Sequence, residues 1–440
     1  MAKIHKKNVG YSLLRWHVDG LFKLSYRRLE YYGKEKLPKD GTIIYAPNHT
    51  NTLMDALAVL AINRVRKVFV ARADVFKNPV VLKILTFLKM LPINRKRDGA
   101  DSLSKNEEIN ETVVEVLQNK VPFCILPEGR HRAMHSLLPL QKGLFRIALQ
   151  ANDTFGKDMP VYIVPVGLSF GHFFRYRSSL LLQIGEPINV TEFVNTSSHL
   201  TQPEQINYLR DELAARLKKV ILHIEDNDNY NATIELCHIN SKTQQKHLGL
   251  KGNSLLNRFL SAKETVRNIE ESLEINPSKT QELLQEVNDF SVKRHKSKIG
   301  IESFLNPHIN LSILGRFLVL VLGLPYFVIS SVATAPVTLF SVWICSKIKD
   351  KAFHNTLRYM IWLIWLPLFL LILTVVVGIT TSLLWVGIVL VLFLPAFYFL
   401  HEYLRFLRLF ISDIKWKFHP SLHKQLSAIR NTWNKLYTKL

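Results

Sequence analysis

The stretch Thr42-Ile43-Ile44-Tyr45-Ala46-Pro47-Asn48-His49-Thr50-Asn51-Thr52-Leu53-Met54-Asp55 runs from an apolar, β-prone segment through a polar turn into a helix-prone segment that continues to residue 62. A strand, a polar turn and a helix in this order form the repeating step of an α/β fold. The same alternation continues downstream. Strand signals fall at 67–71, 122–126, 160–166 and 180–184, and helix signals at 80–90, 102–118 and 143–151. The pattern predicts an α/β domain over 41–195 with a central mixed sheet.

Outward from that domain the composition changes. Residues 196–310 are polar, helix-prone and rich in Glu, Gln and Lys, and carry no recognisable chemistry. Then come two long runs without a charge or a histidine, 317–346 and 359–400. A spanning helix needs roughly 20 residues. The second run therefore reads as two spans with a turn at 378–382. The first holds Pro325 and Pro336, which bend or break helices. It is expected as a re-entrant, proline-bent hairpin, with one tilted span as the competing reading. The flanks before, between and after the runs are all basic, which places all three on the cytoplasmic side. A helical membrane domain is thus expected at 311–412 and a basic cytoplasmic tail at 413–440. At the other end, residues 11–32 mix Leu13, Leu14, Trp16, Leu21, Phe22, Leu24 and Tyr26 with Arg15, Lys23, Arg27 and Arg28. This pattern suits a helix at a membrane surface, within a region 1–40, or a surface helix packed on the next domain.

Charge and cysteine usage remove other classes. Of the 440 residues, 57 are Lys or Arg against 35 Asp or Glu, a formal net charge of +22, which predicts an anionic partner. Cys124, Cys237 and Cys345 lie far apart and make neither a disulfide framework nor a zinc pattern. The opening MAKIHKKNVG lacks the apolar stretch of a signal peptide. A small secreted domain and a zinc-finger DNA binder are excluded. No nucleic acid is expected as partner, because the basic residues flank apolar runs and no recognition motif is present.

Ligands of open α/β sheets gather beyond the carboxyl ends of the strands. Three polar clusters fall at such ends. The first is 48–55. A histidine with a carboxylate one to two turns on can form a base–orienter pair, in which Asp55 fixes the imidazole tautomer and His49 takes a proton from an attacking hydroxyl. The same residues also suit a helix cap at Asn48 or Thr50 with an incidental histidine. The second is Leu126-Pro127-Glu128-Gly129-Arg130-His131-Arg132. Gly129 allows close backbone approach, and Arg130 and Arg132 can grip phosphate in a fork. Lys142 and Gly143 then open a helix, itself an anion site. The third is Asn94-Arg95-Lys96-Arg97. Each alone also suits a solvated loop; their convergence on one sheet edge favours a site.

Taken in order, NHTNTLMD, PINR, LPEGRHR, LQKG and VPVG resemble the phospholipid/glycerol acyltransferase family, which includes the 1-acylglycerol-3-phosphate acyltransferases. The resemblance spans about 45–190. It implies an α/β acyltransferase domain that moves a fatty acyl group from a thioester to a glycerol hydroxyl, with no metal and no prosthetic group. It implies His49 as general base and Asp55 as its orienting acid. Arg95 would contact the acceptor's phosphate, Glu128 and Gly129 would shape the acceptor site, and Arg130, Arg132 and Lys142 would help to hold the phosphate. Pro165 would lie in a last, structural motif. The chain also departs from the family's pattern. Five residues separate His49 from Asp55 where four are usual, as in a branch that includes some glycerol-3-phosphate acyltransferases. His131 stands at the family's Arg position, Asn94 replaces a frequent Asp, and Lys89, Met90 and Leu91 stand where a Gly is usual.

The expected activity is acylation of 1-acylglycerol 3-phosphate to phosphatidic acid, with acyl-CoA or acyl carrier protein as donor and membrane lipids as partners. Backbone N–H groups around Gly129 are expected to stabilise the oxyanion. Glycerol 3-phosphate, or the hydroxyl of an acyl-amino acid lipid, is the alternative acceptor. A catalytically silent lipid-binding membrane protein is the alternative of another class. The expected location is an integral membrane protein with its catalytic domain facing the cytoplasm.

Overall fold

A computed structural model of the chain describes residues 4–94, 102–225 and 227–437. It divides into two units, one of Met1–His223 with Ile348–Leu363, the other of Ile224–Lys347 with Ile364–Leu440.

The first unit runs α1 (Val9–Leu24), β1 (Tyr26–Tyr32), β2 (Thr42–Pro47), α2 (Leu53–Leu60), β3 (Val68–Arg72), α3 (Pro79–Phe87), β4 (Met90–Ile93), α4 (Ser102–Gln118), β5 (Phe123–Cys124), α5 (Gly143–Phe155), β6 (Val161–Phe170), β7 (Ser178–Ile184), β8 (Ile188–Asn189), α6 (Val190–Thr196) and α7 (Gln202–Val220). The strands form one mixed sheet in the order β1-β7-β6-β2-β5-β3-β4, with β8 on β6. Strand β6 runs antiparallel to β7 and β8, and the other pairs are parallel. Strand β2 lies between β6 and β5, and Ile44, Tyr45 and Ala46 on it are wholly buried. Its carboxyl end, where the polar turn begins, therefore opens at the middle of the sheet edge. Val113, Val116 and Leu117 of α4, Leu144, Phe145 and Ala148 of α5, and Leu209, Leu213 and Leu217 of α7 pack into the same core.

Three sequence expectations are corrected here. The helix expected over 11–32 stops at Leu24; Tyr26–Tyr32 is an edge strand paired in parallel with β7. Its aromatic residues suit a strand. Met90 begins β4 rather than ending a helix, after Lys89 at φ +66° has turned the chain. The sheet unit also exceeds 41–195 at both ends. It takes in α1 and β1, and it takes in α7, whose Ile206, Leu209, Leu213 and Leu217 form an apolar stripe at helical spacing.

In the second unit, α8 (Tyr230–His247), α9 (Leu255–Ile275), α10 (Pro277–Lys296) and α11 (Ile301–Phe304) precede α12 (Ile309–Lys347). Helix α13 (Phe353–Thr380) starts in the first unit and ends in the second, followed by α14 (Leu383–Lys417) and α15 (Pro420–Tyr437). Leu236, Leu283, Val287, Phe290, Trp416, Ile429 and Trp433 make a common core of the polar helices. Within it Arg294 grips the buried carboxylate of Glu235 through Nε and Nη2, each at 2.6 Å. Helices α12, α13 and α14 are each long and apolar enough to cross a membrane. The run 317–346 is no hairpin. It lies inside the 39-residue α12, which carries Pro325 and Pro336 in its interior. Helices α12 and α14 lie antiparallel: Arg316 pairs with Asp413, Phe317 meets Phe410, and Tyr326 Oη donates to the Leu392 carbonyl.

Candidate active site

The site grows from the end of β2. Asn48 is clamped to the neighbouring strand, its Oδ1 accepting from Leu168 N at 2.7 Å and its Nδ2 donating to Leu168 O at 3.1 Å. The chain then bends through Thr52, at φ +48° and ψ −123°, a conformation that side-chain-bearing residues rarely adopt. This bend brings Asp55, in the first turn of α2, back under the loop. One oxygen, Asp55 Oδ2, accepts from Thr50 N at 2.8 Å and Asn51 N at 2.7 Å, and lies 2.8 Å from His49 Nδ1. Asp55 is fully buried and the His49 side chain is 16% exposed. A carboxylate on Nδ1 selects the tautomer with the proton there and leaves Nε2 as the acceptor. That is the form a general base requires.

Both ends of α2 are matched to its dipole. Asp55 sits at the amino end. At the carboxyl end two buried cations take the loose carbonyls. Arg15 Nη2 donates to Leu60 O at 2.6 Å and Asn63 O at 2.9 Å, and Lys67 Nζ donates to Asn63 Oδ1 at 2.7 Å and Val65 O at 3.2 Å. Burial, helped by the Arg15 charge, lowers the Lys67 ammonium to about 7.

The second cluster holds the first in place. Glu128 Oε1 accepts from His49 N at 2.7 Å and Oε2 from Leu138 N at 3.0 Å, while Arg132 N donates to His49 O at 3.1 Å. Glu128 is 3% exposed, and burial lifts its carboxyl to about 7 against the opposing pull of its two N–H donors and His49. With both oxygens engaged, Glu128 ties two loops together from inside. Gly129 adopts φ +67°, and a Cβ there would meet Gln141 Cγ at 3.1 Å, so the 127–132 loop lies against the residues that lead to Lys142. Its N–H donates to Leu126 O at 3.2 Å and is not available to an oxyanion. The N–H groups of Arg130 and His131 bond to no protein group among the described residues.

The side chains of Arg130 and Lys142 are exposed, and that of Arg132 is half-buried. Arg95 lies outside the described residues, as do Lys96 and Arg97. His131 was read only as a departure in the sequence. Its ring stands edge-on to His49, centroids 5.7 Å apart, and its Nε2 lies 3.2 Å from Asp350 Oδ2. The segment 348–363 contributes further to this unit. Thr356 Oγ1 lies 2.6 Å from Thr52 Oγ1, Phe353 stands edge-on to His131 at 5.2 Å, and Tyr359 Oη donates to Val18 O at 2.9 Å. No local sequence signal marks these residues, which lie between 219 and 341 positions from their partners.

The site is thus a histidine–carboxylate pair at a strand end of a mixed sheet, with cationic side chains on the adjoining loop, as suits proton transfer beside an anion. Residues 28–169 match the family model described as Acyltransferase, so the chain carries an acyltransferase-family domain. The chain is similar to glycerol-3-phosphate O-acyltransferase 1 of Saccharomyces cerevisiae, 30% identical over 116 residues, which is 26% of this chain and 15% of that protein. It is similar to glycerol-3-phosphate O-acyltransferase 2 of the same yeast, 38% identical over 85 residues, 19% of this chain and 11% of that protein. The chain therefore spans only a small part of these two relatives. It is also similar to 1-acyl-sn-glycerol-3-phosphate acyltransferase beta of Homo sapiens, 26% identical over 223 residues, 50% of this chain and 74% of that protein. Among solved structures, the 1-acyl-sn-glycerophosphate acyltransferase PlsC of Thermotoga maritima aligns with 20% identity and a TM-score of 0.34, over 49% of this chain and 81% of that one.

Proposed function

We infer that this chain is a glycerolipid O-acyltransferase that acylates the free hydroxyl of 1-acylglycerol 3-phosphate, giving phosphatidic acid. The observation that carries the reading is the 2.8 Å approach of His49 Nδ1 to the buried Asp55 carboxylate. In the proposed step His49 Nε2 takes the hydroxyl proton as the oxygen attacks the thioester carbonyl. The tetrahedral intermediate collapses, the C–S bond breaks, and the leaving thiolate takes the proton back from the imidazolium. The N–H groups of Arg130 and His131 are the donors we assign to the oxyanion. Arg130, Arg132 and Lys142, with Arg95, hold the acceptor's phosphate. Acyl-CoA or acyl carrier protein serves as donor; both carry anionic groups that suit the +22 charge. Neither a metal nor a prosthetic group is invoked.

Three long apolar helices make this a membrane protein, and the lipid-like acceptor suits such a setting. The exposed Leu13 and Trp16 of α1 suit contact with a bilayer surface, and the basic flanks support a cytoplasmic catalytic unit. A second reading keeps the mechanism and changes the acceptor to glycerol 3-phosphate. The five-residue gap from His49 to Asp55 and the two yeast relatives favour it.

The purified chain in lipid vesicles, given radiolabelled acyl-CoA and either acceptor, separates the readings. Labelled phosphatidic acid from 1-acylglycerol 3-phosphate is the expected product. Product from glycerol 3-phosphate alone would move the enzyme to the first acylation step. No transfer from acyl-CoA or acyl carrier protein to either acceptor would leave a lipid-binding role.

A further inference from the structure

We propose that residues 350–359, the end of the turn after α12 and the first turns of α13, form a positioning element of the active site that fixes the His49–Asp55 pair. The proposal rests on the acyl-transfer reading of that pair and adds residues that neither the family match nor the motifs contain. Residues 28–169 hold the match; Asp350 and Thr356 lie far beyond it.

The loop from His49 to Asp55 turns at Thr52, whose φ of +48° and ψ of −123° suit glycine rather than threonine. Strained backbone persists where its surroundings over-determine it. Here the surroundings are supplied from outside the loop. Thr52 Oγ1 lies 2.6 Å from Thr356 Oγ1 and 3.5 Å from Ala352 O. A second tie runs through Phe173: its carbonyl accepts from Asn51 Nδ2 at 3.0 Å and also from Asn355 Nδ2. A third joins the neighbouring motif, where Asp350 Oδ2 holds His131 Nε2 at 3.2 Å beside the His49 ring. Asp350 is itself fixed, its Oδ1 accepting from Ala352 N at 2.9 Å. Asn355 and Tyr359 are buried, so the segment is docked rather than draped. Each tie ends on a residue adjacent to the base, to its orienting acid or to the loop that holds them. Releasing the ties lets Thr52 relax, and Thr50 N, Asn51 N and His49 Nδ1 then no longer converge on Asp55.

The test compares the full chain in vesicles with Thr356→Val, Thr356→Ser and Thr52→Gly. Valine keeps the shape of threonine and removes the hydroxyl, serine restores it, and glycine fits the Thr52 backbone without strain while removing the tie. Thr356→Val is expected to lower kcat about tenfold or more, since small misplacements of reacting groups are costly. KM is expected to stay within about twofold and the melting temperature to hold. Thr356→Ser, which restores the hydroxyl, is expected to keep most of kcat, and Thr52→Gly, which has no strained side-chain-bearing backbone to release, is expected to lose less than Thr356→Val. Amide hydrogen exchange across 49–55 is expected to speed up in Thr356→Val and not in Thr356→Ser. Wild-type kcat in Thr356→Val, or unchanged exchange across 49–55 in it, would overturn the proposal. A wild-type chain with no transfer activity would overturn the acyl-transfer reading instead, and the exchange result alone would then decide whether 350–359 hold the loop.

Discussion

At the scale of single residues, the site is a set of hydrogen bonds that converge on two buried carboxyl groups. Asp55 Oδ2 takes three donors, and its partner oxygen Oδ1 takes none among the described residues. Asp55→Asn removes the charge that selects the His49 tautomer. It is expected to lower kcat by about 10² or more, as in other triads whose orienting acid is neutralised; single-turnover transfer measures this directly. Glu128 carries a different prediction. Its carboxyl is raised from 4.5 to about 7 by burial, so the folded chain holds that proton where the unfolded chain has lost it. Stability from this group is full below 4.5 and is lost as pH rises through 7, on the order of 3 kcal/mol in all. The melting temperature of the solubilised chain is expected to fall between pH 5 and 8 through this term. Glu128→Gln is expected to be less stable by about 1–3 kcal/mol at pH 5, because one of two N–H donors loses its acceptor, and to lack that part of the pH slope. The pairing of His49 with Asp55 was legible in the sequence, because both lie in one strand–turn–helix step. The tie made by Glu128 was not legible there, since a motif does not reveal that both oxygens face backbone donors. Asp350 and Thr356 were invisible: their partners, 219 and 304 positions away, are set by tertiary docking.

Among the elements, strands with continuous apolar runs were readable and edge strands were not. Strands β2, β3, β6 and β7 lie where the Val, Ile and Leu runs stand. Strand β1, Tyr-Arg-Arg-Leu-Glu-Tyr-Tyr, lies at a sheet edge, where half-exposed positions take charges and blur the alternation. Helix α7 was assigned to the wrong unit because its composition is polar, although its stripe Ile206, Leu209, Leu213 and Leu217 is buried in the sheet core. Composition reports the outward face; periodicity reports the inward one. Leu213 is fully buried, so Leu213→Ala is expected to cost about 2–5 kcal/mol, and truncation of the neighbouring exposed Asp211 side chain much less. Denaturant unfolding of the solubilised chain compares the two. The proline-bent hairpin expected over 317–346 failed for a physical reason. Proline removes one helix hydrogen bond and clashes with one carbonyl, a local cost that a 39-residue helix packed against α14 can absorb.

For the whole molecule, the membrane helices carry a parity constraint. Three consecutive full crossings make the first and third helices parallel. Helices α12 and α14 are antiparallel, with Arg316 on Asp413 at one end and Tyr326 on Leu392 further along. That packing suits an arrangement in which one of the three does not traverse fully, and it predicts that the chain before α12 and after α14 emerges on one face. This agrees with basic residues on both of those flanks. Single cysteines placed at Lys298 and Lys424 in a chain freed of its native cysteines are expected to react with an impermeant thiol reagent from the same side of a sealed vesicle. Reaction from opposite sides would require three crossings and a different packing. The central claim, however, is chemical: His49, held by Asp55, is the base of an acyl transfer. Its most direct measurement is kcat for transfer from acyl-CoA by the wild-type chain and His49→Gln in identical vesicles, with circular dichroism to establish equal folding. A loss of about 10²-fold or more with KM little changed is expected. A His49→Gln chain that turns over at the wild-type rate would contradict the claim.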